Sequence, residues 1–139
     1  MGLDMYLEGV RYISAYEKID GKFVKTRKRQ IIKTLEIYWR KANAIHNWFV
    51  NNIQGGEDDC RCYELEKEQL IDLRNTCKKV LKNDSLKEEL LPTQEGFFFG
   101  ETDYDEYYYN DLKETIKEID RLLSMNDEYD WFEYSVVGR

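Results

Sequence analysis

The stretch Leu3-Asp4-Met5-Tyr6-Leu7 decides the fold, because its apolar and polar side chains alternate strictly. Such alternation is typical of a strand with one buried and one solvated face. The chain closes on the same pattern, in the stretch WFEYSVV at 131–137. We expect these two strands to pair with each other.

Between the two ends, the pattern predicts further strands and then helices. Asp20-Gly21 is a hairpin turn signal, and residues 23–26 and the β-branched stretch 31–37 are expected to be extended. Helical periodicity predicts three main helices, over about 39–53, 66–82 and 103–123. The last of these is expected to begin with a capping box formed by Asp103 and Glu106.

Two shorter segments complete the prediction. A helical turn is expected over 85–91, before Pro92, and the phenylalanines at 97–99 are expected to form a short buried extended segment between two glycines. The fold prediction is therefore a single α+β domain over 1–139. Its antiparallel sheet comes from the N- and C-terminal strands and packs against the three main helices.

The composition indicates a globular protein of one domain. The chain has 139 residues, of which 42% are hydrophobic and 35% charged. It contains neither an apolar run of about 18 residues nor the pattern of a signal peptide. The three cysteines (Cys60, Cys62 and Cys77) are an odd number, which indicates free thiols in a reducing compartment. We therefore expect a cytoplasmic protein that does not enter the membrane.

Charge is divided unevenly along the chain. Residues 1–54 carry a net charge of +5 and residues 55–139 carry −12. The basic part is concentrated in the stretch KFVKTRKRQ at 22–30, which could meet phosphates or an acidic partner. The same stretch is also typical of a solvated hairpin whose lysines prevent edge pairing. Direct binding to nucleic acid is not expected, because the acidic remainder would repel a polyanion.

The predicted helix over 39–53 carries the candidate ligand-binding residues. Asparagine is a poor helix former, yet one row of this helix contains three asparagines beside an arginine, bordered by a tryptophan and the only histidine. An amide donates and accepts together, an arginine can clamp a phosphate or carboxylate, and an indole can stack on a ring. The predicted site comprises Trp39, Arg40, Asn43, His46 and Asn47, with Gln94 from the following loop. Alternatively, the asparagines are solvated or bond neighbouring loops, and His46 is a packing residue.

Other constellations are weaker. Tyrosines cluster at 104–109, which suits either a contact surface or a core with hydroxyls reaching outward. The three cysteines with His46 do not have the usual zinc spacing, and no metal or cofactor is predicted. Nucleotide-loop and hydrolase motifs are absent. If catalysis occurs, His46 is the side chain with an ordinary pKa near neutrality.

Four stretches together carry a family resemblance. They are MGLDMYL at 1–7, YWRKANAIHNWFV at 38–50, LLPTQEGFFFG at 90–100 and YDEYYYNDLKET at 104–115. In these the chain resembles a family of small uncharacterised proteins encoded by bacteriophages and prophages. The resemblance implies expression in the cytoplasm of an infected bacterium and supplies no catalytic residues.

The leading hypothesis is a phage accessory binding protein without catalysis, with action against a host defence as its candidate role. It would sequester a small polar, nucleotide-like ligand, or it would bind a host protein. Two alternatives stay open: a small hydrolase or nucleotide-processing enzyme that uses His46, and an acidic inhibitor that mimics nucleic acid. A homo-oligomer is compatible with each of them.

Overall fold

The structure is a computed structural model that describes residues 3–95, 102–125 and 128–138. Within these ranges the strands are β1 (Leu3–Ile13), β2 (Tyr16–Ile19), β3 (Lys22–Lys25), β4 (Gln30–Arg40), β5 (Tyr63–Leu65) and β6 (Trp131–Gly138). The helices are α1 (Asn43–Asn52), α2 (Lys67–Lys82), α3 (Lys87–Leu90) and α4 (Glu106–Leu123), and a short 3-10 turn at Asp84–Leu86 precedes α3. The predicted α+β fold is confirmed.

β1 lies inside the larger sheet, whose strand order is β4-β1-β6-β5 and whose pairs are all antiparallel. Its pairing with β6 runs from Leu3 opposite Gly138 to Val10 opposite Trp131. The predicted pairing of the two chain ends is thereby confirmed. β2 and β3 form a separate hairpin, and Asp20 and Gly21 turn it with positive φ angles of 49° and 79°.

The described helices pack on one face of the larger sheet, because that face carries the apolar half of each alternating strand. The side chains of Leu3, Met5 and Leu7 join residues of α1, α2 and α4 in one buried cluster. Within this cluster the Phe49 ring stacks on the Tyr134 ring, with centroids 3.7 Å apart. The opposite face, which we call the outer face, contributes none of its described side chains to the cluster.

The ends of α2 and α4 follow from their capping residues. Glu66 caps α2 in a capping box with Gln69, close to the predicted start. α4 begins two residues later than predicted, because Asp105 rather than Asp103 accepts hydrogen bonds from the backbone of Tyr107 and Tyr108. The predicted capping box of Asp103 with Glu106 is therefore wrong.

The predicted start of the first helix is also wrong. Trp39 and Arg40 belong to β4, opposite Met5 and Asp4, and α1 begins only at Asn43. Between them Lys41 adopts a positive φ of 54°, which breaks the strand from the helix. Aromatic residues favour strands, and the register with β1 extends β4 through the positions that helical periodicity had assigned to α1.

Two strands, β2 and β5, were not predicted. The predicted buried segment at 97–99 lies outside the described residues. In the described part of the chain, no helix combines the length and the apolar character needed to cross a bilayer.

Candidate interaction surface

The predicted site residues lie in three different places. Trp39 and Arg40 line a cleft of about 310 Å³ between β4 and α4. The remaining lining residues include four carboxylates, at Glu36, Asp111, Glu114 and Glu118. Such a wall repels phosphate, so the cleft does not favour Arg40 as a clamp for an anionic ligand.

Asn43 and Asn47 fasten the loop after α3 to α1. The Asn43 amide donates to the Gln94 carbonyl (2.9 Å) and accepts from the Gln94 N–H (2.7 Å). The Asn47 amide donates to the Pro92 carbonyl (3.1 Å) and accepts from Asn51 (3.3 Å). The predicted proximity of α1 to this loop is correct. However, internal hydrogen bonds occupy the amides that were expected to recognise a ligand, so the asparagine row no longer argues for one.

His46 lies on a different side of α1, in a buried chain of hydrogen bonds. Its Nε2 is 2.8 Å from a carboxylate oxygen of Asp58, and its Nδ1 is 2.7 Å from the Tyr134 hydroxyl. Because a carboxylate only accepts hydrogen bonds, Nε2 carries the proton and Nδ1 accepts from Tyr134. Burial lowers the pKa of His46, against the opposing effect of Asp58. The imidazole is fully buried, so this geometry favours packing over catalysis.

The tyrosine cluster mainly holds the fold together. Tyr108 is buried and donates to the Leu91 carbonyl at 2.7 Å, and Tyr109 hydrogen-bonds Asp84. The Tyr104 hydroxyl accepts from the Thr93 N–H at 3.3 Å. Tyr107, by contrast, is largely exposed. A docking surface made of these rings is therefore reduced to one side chain of the four.

Two of the three cysteines, Cys62 and Cys77, are poor nucleophiles. Burial raises the pKa of the Cys77 thiol to about 12, and burial together with Glu133 raises that of Cys62 to about 11. Both thiols are therefore protonated at neutral pH, and a protonated thiol is a poor nucleophile. Among the described residues, no group of three or more His, Cys, Asp or Glu side chains is placed to hold a metal ion.

The most distinctive surface is a protrusion that we call the arm, residues 11–35. It consists of the far ends of β1 and β4 and the hairpin β2–β3. At about 3.3 Å per residue, the ten residues from Arg11 to Asp20 reach at most ~33 Å. Almost every side chain of the arm is exposed, with Ala15 the buried exception. The remainder of the chain is called the body.

The arm is apolar to a degree unusual for an exposed segment. It supplies eight of the eleven large hydrophobic side chains that are exposed in the described part of the chain. Phe23 is 75% exposed, Ile31 55% and Leu35 53%. The others in the arm are Tyr12, Tyr16, Ile19, Val24 and Ile32. Exposed apolar side chains gathered in one region typically mark an interaction site.

The arm is also strongly basic. It contains eight Lys or Arg residues and two Asp or Glu residues, which give it a net charge of +6. Because the whole chain has a net charge of −7, the body carries −13. Three successive cations, at 27–29, lie in a bend between the hairpin and β4. Arg27 pairs with Glu17 of β2. The charge split noted in the sequence is therefore a split between two structural parts.

The base of the arm is firmly attached to the body. The Tyr12 N–H donates to a carboxylate oxygen of Asp130 (2.7 Å), and the Asp130 N–H donates to the Val10 carbonyl (2.8 Å). Gly9 lies under the Tyr129 ring, where an added Cβ would come within 2.5 Å of ring atoms. This close approach requires glycine.

β4 contains a one-residue bulge at Glu36, where its edge contacts α4. Leu7 pairs with Ile37 whereas Glu8 pairs with Leu35, so Glu36 is the extra residue. Its backbone carbonyl accepts from Arg121 of α4 (2.8 Å), and its carboxylate bonds both Arg121 and Tyr129. Beyond the bulge, Leu35, Lys33 and Ile31 share the outer face with Glu8, Val10 and Tyr12.

Glu133 lies on the outer face and is hydrogen-bonded to three neighbouring side chains. It accepts hydrogen bonds from Lys33 (2.7 Å), Trp131 (3.1 Å) and Cys62 (3.1 Å). Burial opposes ionisation of Glu133, but these bonds outweigh it and lower the pKa. Lys33 is correspondingly tied down, and its pKa is raised chiefly by the hydrogen bond to Glu133.

Comparison with known proteins adds no information on function. No protein-family model, curated protein or solved structure matches the chain. The sequence did signal the basic stretch at 22–30. It did not show that the stretch belongs to a protruding apolar ribbon, because the same alternating residues would equally suit a strand covered by other elements.

Proposed function

We propose that this chain is a binding protein without catalytic activity, and that its arm docks onto an acidic surface of a partner protein. The observation that carries this proposal is the coincidence, in one exposed ribbon, of eight large apolar side chains and a net charge of +6. Apolar contacts supply affinity, and charge complementarity steers the encounter and selects the partner.

A protein suits this surface better than a nucleic acid. Phosphate backbones are recognised mainly by cations and polar groups, which would leave Phe23, Ile31 and Leu35 without apolar partners. A polyanion near the base of the arm would also meet the body, whose net charge is −13. An acidic protein can bury the apolar side chains and neutralise the arm together.

The interior of the body supports a non-enzymatic role. His46 is fully buried with both ring nitrogens hydrogen-bonded, and the thiols of Cys62 and Cys77 are protonated. If the expected resemblance to proteins of bacteriophages and prophages holds, the partner in this proposal is a protein of an infected bacterium. The protein would then act in the host cytoplasm, and interference with a defence system would be its purpose.

Photo-cross-linking tests the proposal. A photoreactive phenylalanine analogue is placed at Phe23 in the arm and, as a matched control, at Tyr107 of α4, which is similarly exposed. We expect a specific protein adduct in bacterial cells from position 23 and none from position 107. The adducted protein, once purified, should bind with an affinity that falls steeply as salt is raised.

Charge reversal tests whether binding depends on the cations of the arm or on the net charge of the whole chain. Changing Lys18, Lys22 and Lys25 to Glu should weaken binding of the purified partner by about tenfold or more. The same change at Lys78, Lys79 and Lys82, exposed on α2, should alter it by less than about threefold. Equal losses in the two triple variants, adducts from position 107 alone, or an adduct that is nucleic acid would overturn the proposal.

A second candidate function keeps the small polar ligand. Asn47, Trp48, Asn51 and Asn52 line a cleft of about 310 Å³ with Pro92 and residues of α2 and α3. The side chains of Asn51 and Asn52 are exposed, and each Nδ2 donates within α1, so a ligand would meet their amide oxygens. Nucleotide binding there should raise the melting temperature, by mass action. Asn52→Ala should abolish that rise without lowering the melting temperature of the free protein by more than a few degrees. An unchanged melting temperature in millimolar nucleotide would exclude this candidate.

A further inference from the structure

In the part of the chain that the structure describes, the edge of β4 beyond the bulge has no neighbouring strand. β4 is the last strand of its sheet, and α4 lies against its other half, where Arg121 bonds the Glu36 carbonyl. Residues 30–35 are exposed and contain no proline. Among the described residues, no element pairs with this part of the edge.

The register identifies which backbone groups face that edge. The hydrogen bond from the Lys41 N–H to the Leu3 carbonyl (2.8 Å) makes these two residues a hydrogen-bonded pair. Such pairs alternate along an antiparallel ladder, and the bulge at Glu36 shifts the alternation by one residue. Gln30, Ile32 and Thr34 therefore bond β1. The N–H and C=O groups of Ile31, Lys33 and Leu35 point to the open edge.

The usual protection of an edge strand is weakened here. Natural edges are blunted by lysines, prolines or bulges that discourage a further strand. Lys33 is the one lysine within 30–35, and its ammonium group is held by Glu133 across the outer face. Ile31 and Leu35 on either side of it are apolar and exposed, so they offer contacts to the side chains of an added strand.

We propose that an extended acidic segment of the partner protein adds to this edge as a fifth strand, in antiparallel or parallel orientation. This inference rests on the proposed function and specifies its mode of binding. Strand addition uses the main chain for affinity and alternate side chains for specificity. The cations at 27–29 lie at one end of the open edge and favour a segment in which carboxylates alternate with apolar residues.

Charge argues against a second copy of this chain as the occupant. Pairing β4 with β4 would bring together two arms of net charge +6. The like charges on the two ribbons would oppose association. An acidic segment instead reduces the net charge of the arm when it binds.

The test uses a defined probe, the peptide fluorescein-(Val-Glu)4-amide, and the full chain. Fluorescence anisotropy measures the binding of the peptide to the chain. Binding should slow hydrogen exchange at the amides of Ile31, Lys33 and Leu35 by at least about tenfold. The amides of Gln30, Ile32 and Thr34 already bond β1 and should change by less than about threefold.

Two backbone changes give independent readouts. Ile31→Pro removes an outward N–H while leaving the bonds of Gln30 and Ile32 to β1, and it should weaken binding about tenfold. Ile31→Thr changes the side chain but keeps the N–H, and should weaken binding by less than about threefold. In the peptide, N-methylation of alternate residues should abolish binding on one set and spare it on the other, a result that does not depend on how the protein variant folds.

The outcomes separate this inference from the proposed function. Binding without protection of residues 31, 33 and 35, or equal tolerance of both N-methylated sets, overturns strand addition and leaves arm docking intact. The peptide could also fail to bind at concentrations up to about 1 mM while charge reversal in the arm still abolishes cross-linking. That result too would overturn strand addition and leave arm docking intact. Protection already present in the free protein together with a doubled mass would show that a second copy occupies the edge, and would also overturn the inference.

Discussion

The body and the arm are built from the same two strands, yet they use them in opposite ways. In the body, the first half of β1 buries Leu3, Met5 and Leu7 against three helices. In the arm, the other end of β1 pairs, among the described strands, with β4 alone and leaves Tyr12 exposed. A two-stranded ribbon is at best marginally stable by itself. The body therefore provides the folding free energy, and the arm stays available for contact.

The largest expected difference between the two parts is in the cost of removing one aromatic ring. Phe49 is fully buried and stacked on Tyr134, so Phe49→Ala should lower the free energy of unfolding by about 3–5 kcal/mol. Phe23→Ala in the exposed hairpin should lower it by less than about 0.5 kcal/mol. Urea denaturation measures both. A comparable loss in the two variants would show that the arm is covered in the free protein.

The next effect concerns the loop held by α1. Asn43→Ala removes both hydrogen bonds to the Gln94 backbone and leaves those groups without partners. It should lower the free energy of unfolding by about 1–3 kcal/mol. Asn51→Ala loses one partly buried 3.3 Å bond to Asn47 and should cost less, about 0.5–1 kcal/mol, near the net value of a single hydrogen bond.

The same two variants distinguish the structural reading of α1 from the ligand-binding one. If Asn43 were reserved for a ligand, its replacement would leave denaturant unfolding unchanged and would remove ligand-dependent stabilisation instead. Faster hydrogen exchange in residues 93–95 of Asn43→Ala, with α2 unaffected, would place the loss at the loop.

The last effect depends on pH and lies in the body. Burial and then the charge of Asp105 raise the pKa of Asp111 to about 7. The unfolded chain ionises this carboxyl at lower pH than the folded protein does, so the protein loses stability as pH rises from about 4 to about 7. Asp111→Asn should therefore match the parent in stability at pH 4 and exceed it at pH 8, as measured by thermal unfolding. A constant difference across this range would contradict the raised pKa.

Alternation and turn chemistry predicted much of the sheet. The pairing of the chain ends, the hairpin at Asp20-Gly21 and the strand that became β4 all follow from local residue patterns. The helix α2 was also predicted, over 66–82, and Leu70, Leu73, Cys77 and Val80 are buried at helical spacing on it. These features depend on neighbours in sequence, which the sequence displays directly.

The candidate site could not be predicted in the same way. The stretch from Tyr38 to Ala42 suits either a helix or a strand by its periodicity, and tertiary pairing with β1 decides for a strand up to Arg40. The partners of the asparagines lie about 45 to 51 residues further along the chain. Whether an amide meets a ligand or a loop is determined by such distant contacts, and no local pattern encodes them.

The extra residue at Glu36 sets the parity of everything beyond it in β4. Each position of a strand belongs to one of two sides, and inserting one residue exchanges the sides for the whole segment that follows. Without it, Ile31, Lys33 and Leu35 would point toward the helices and Gln30, Ile32 and Thr34 would take their place. Because of this one inserted residue, the side chains on each face of the projecting ribbon need not follow the alternation that the core requires of the rest of β4.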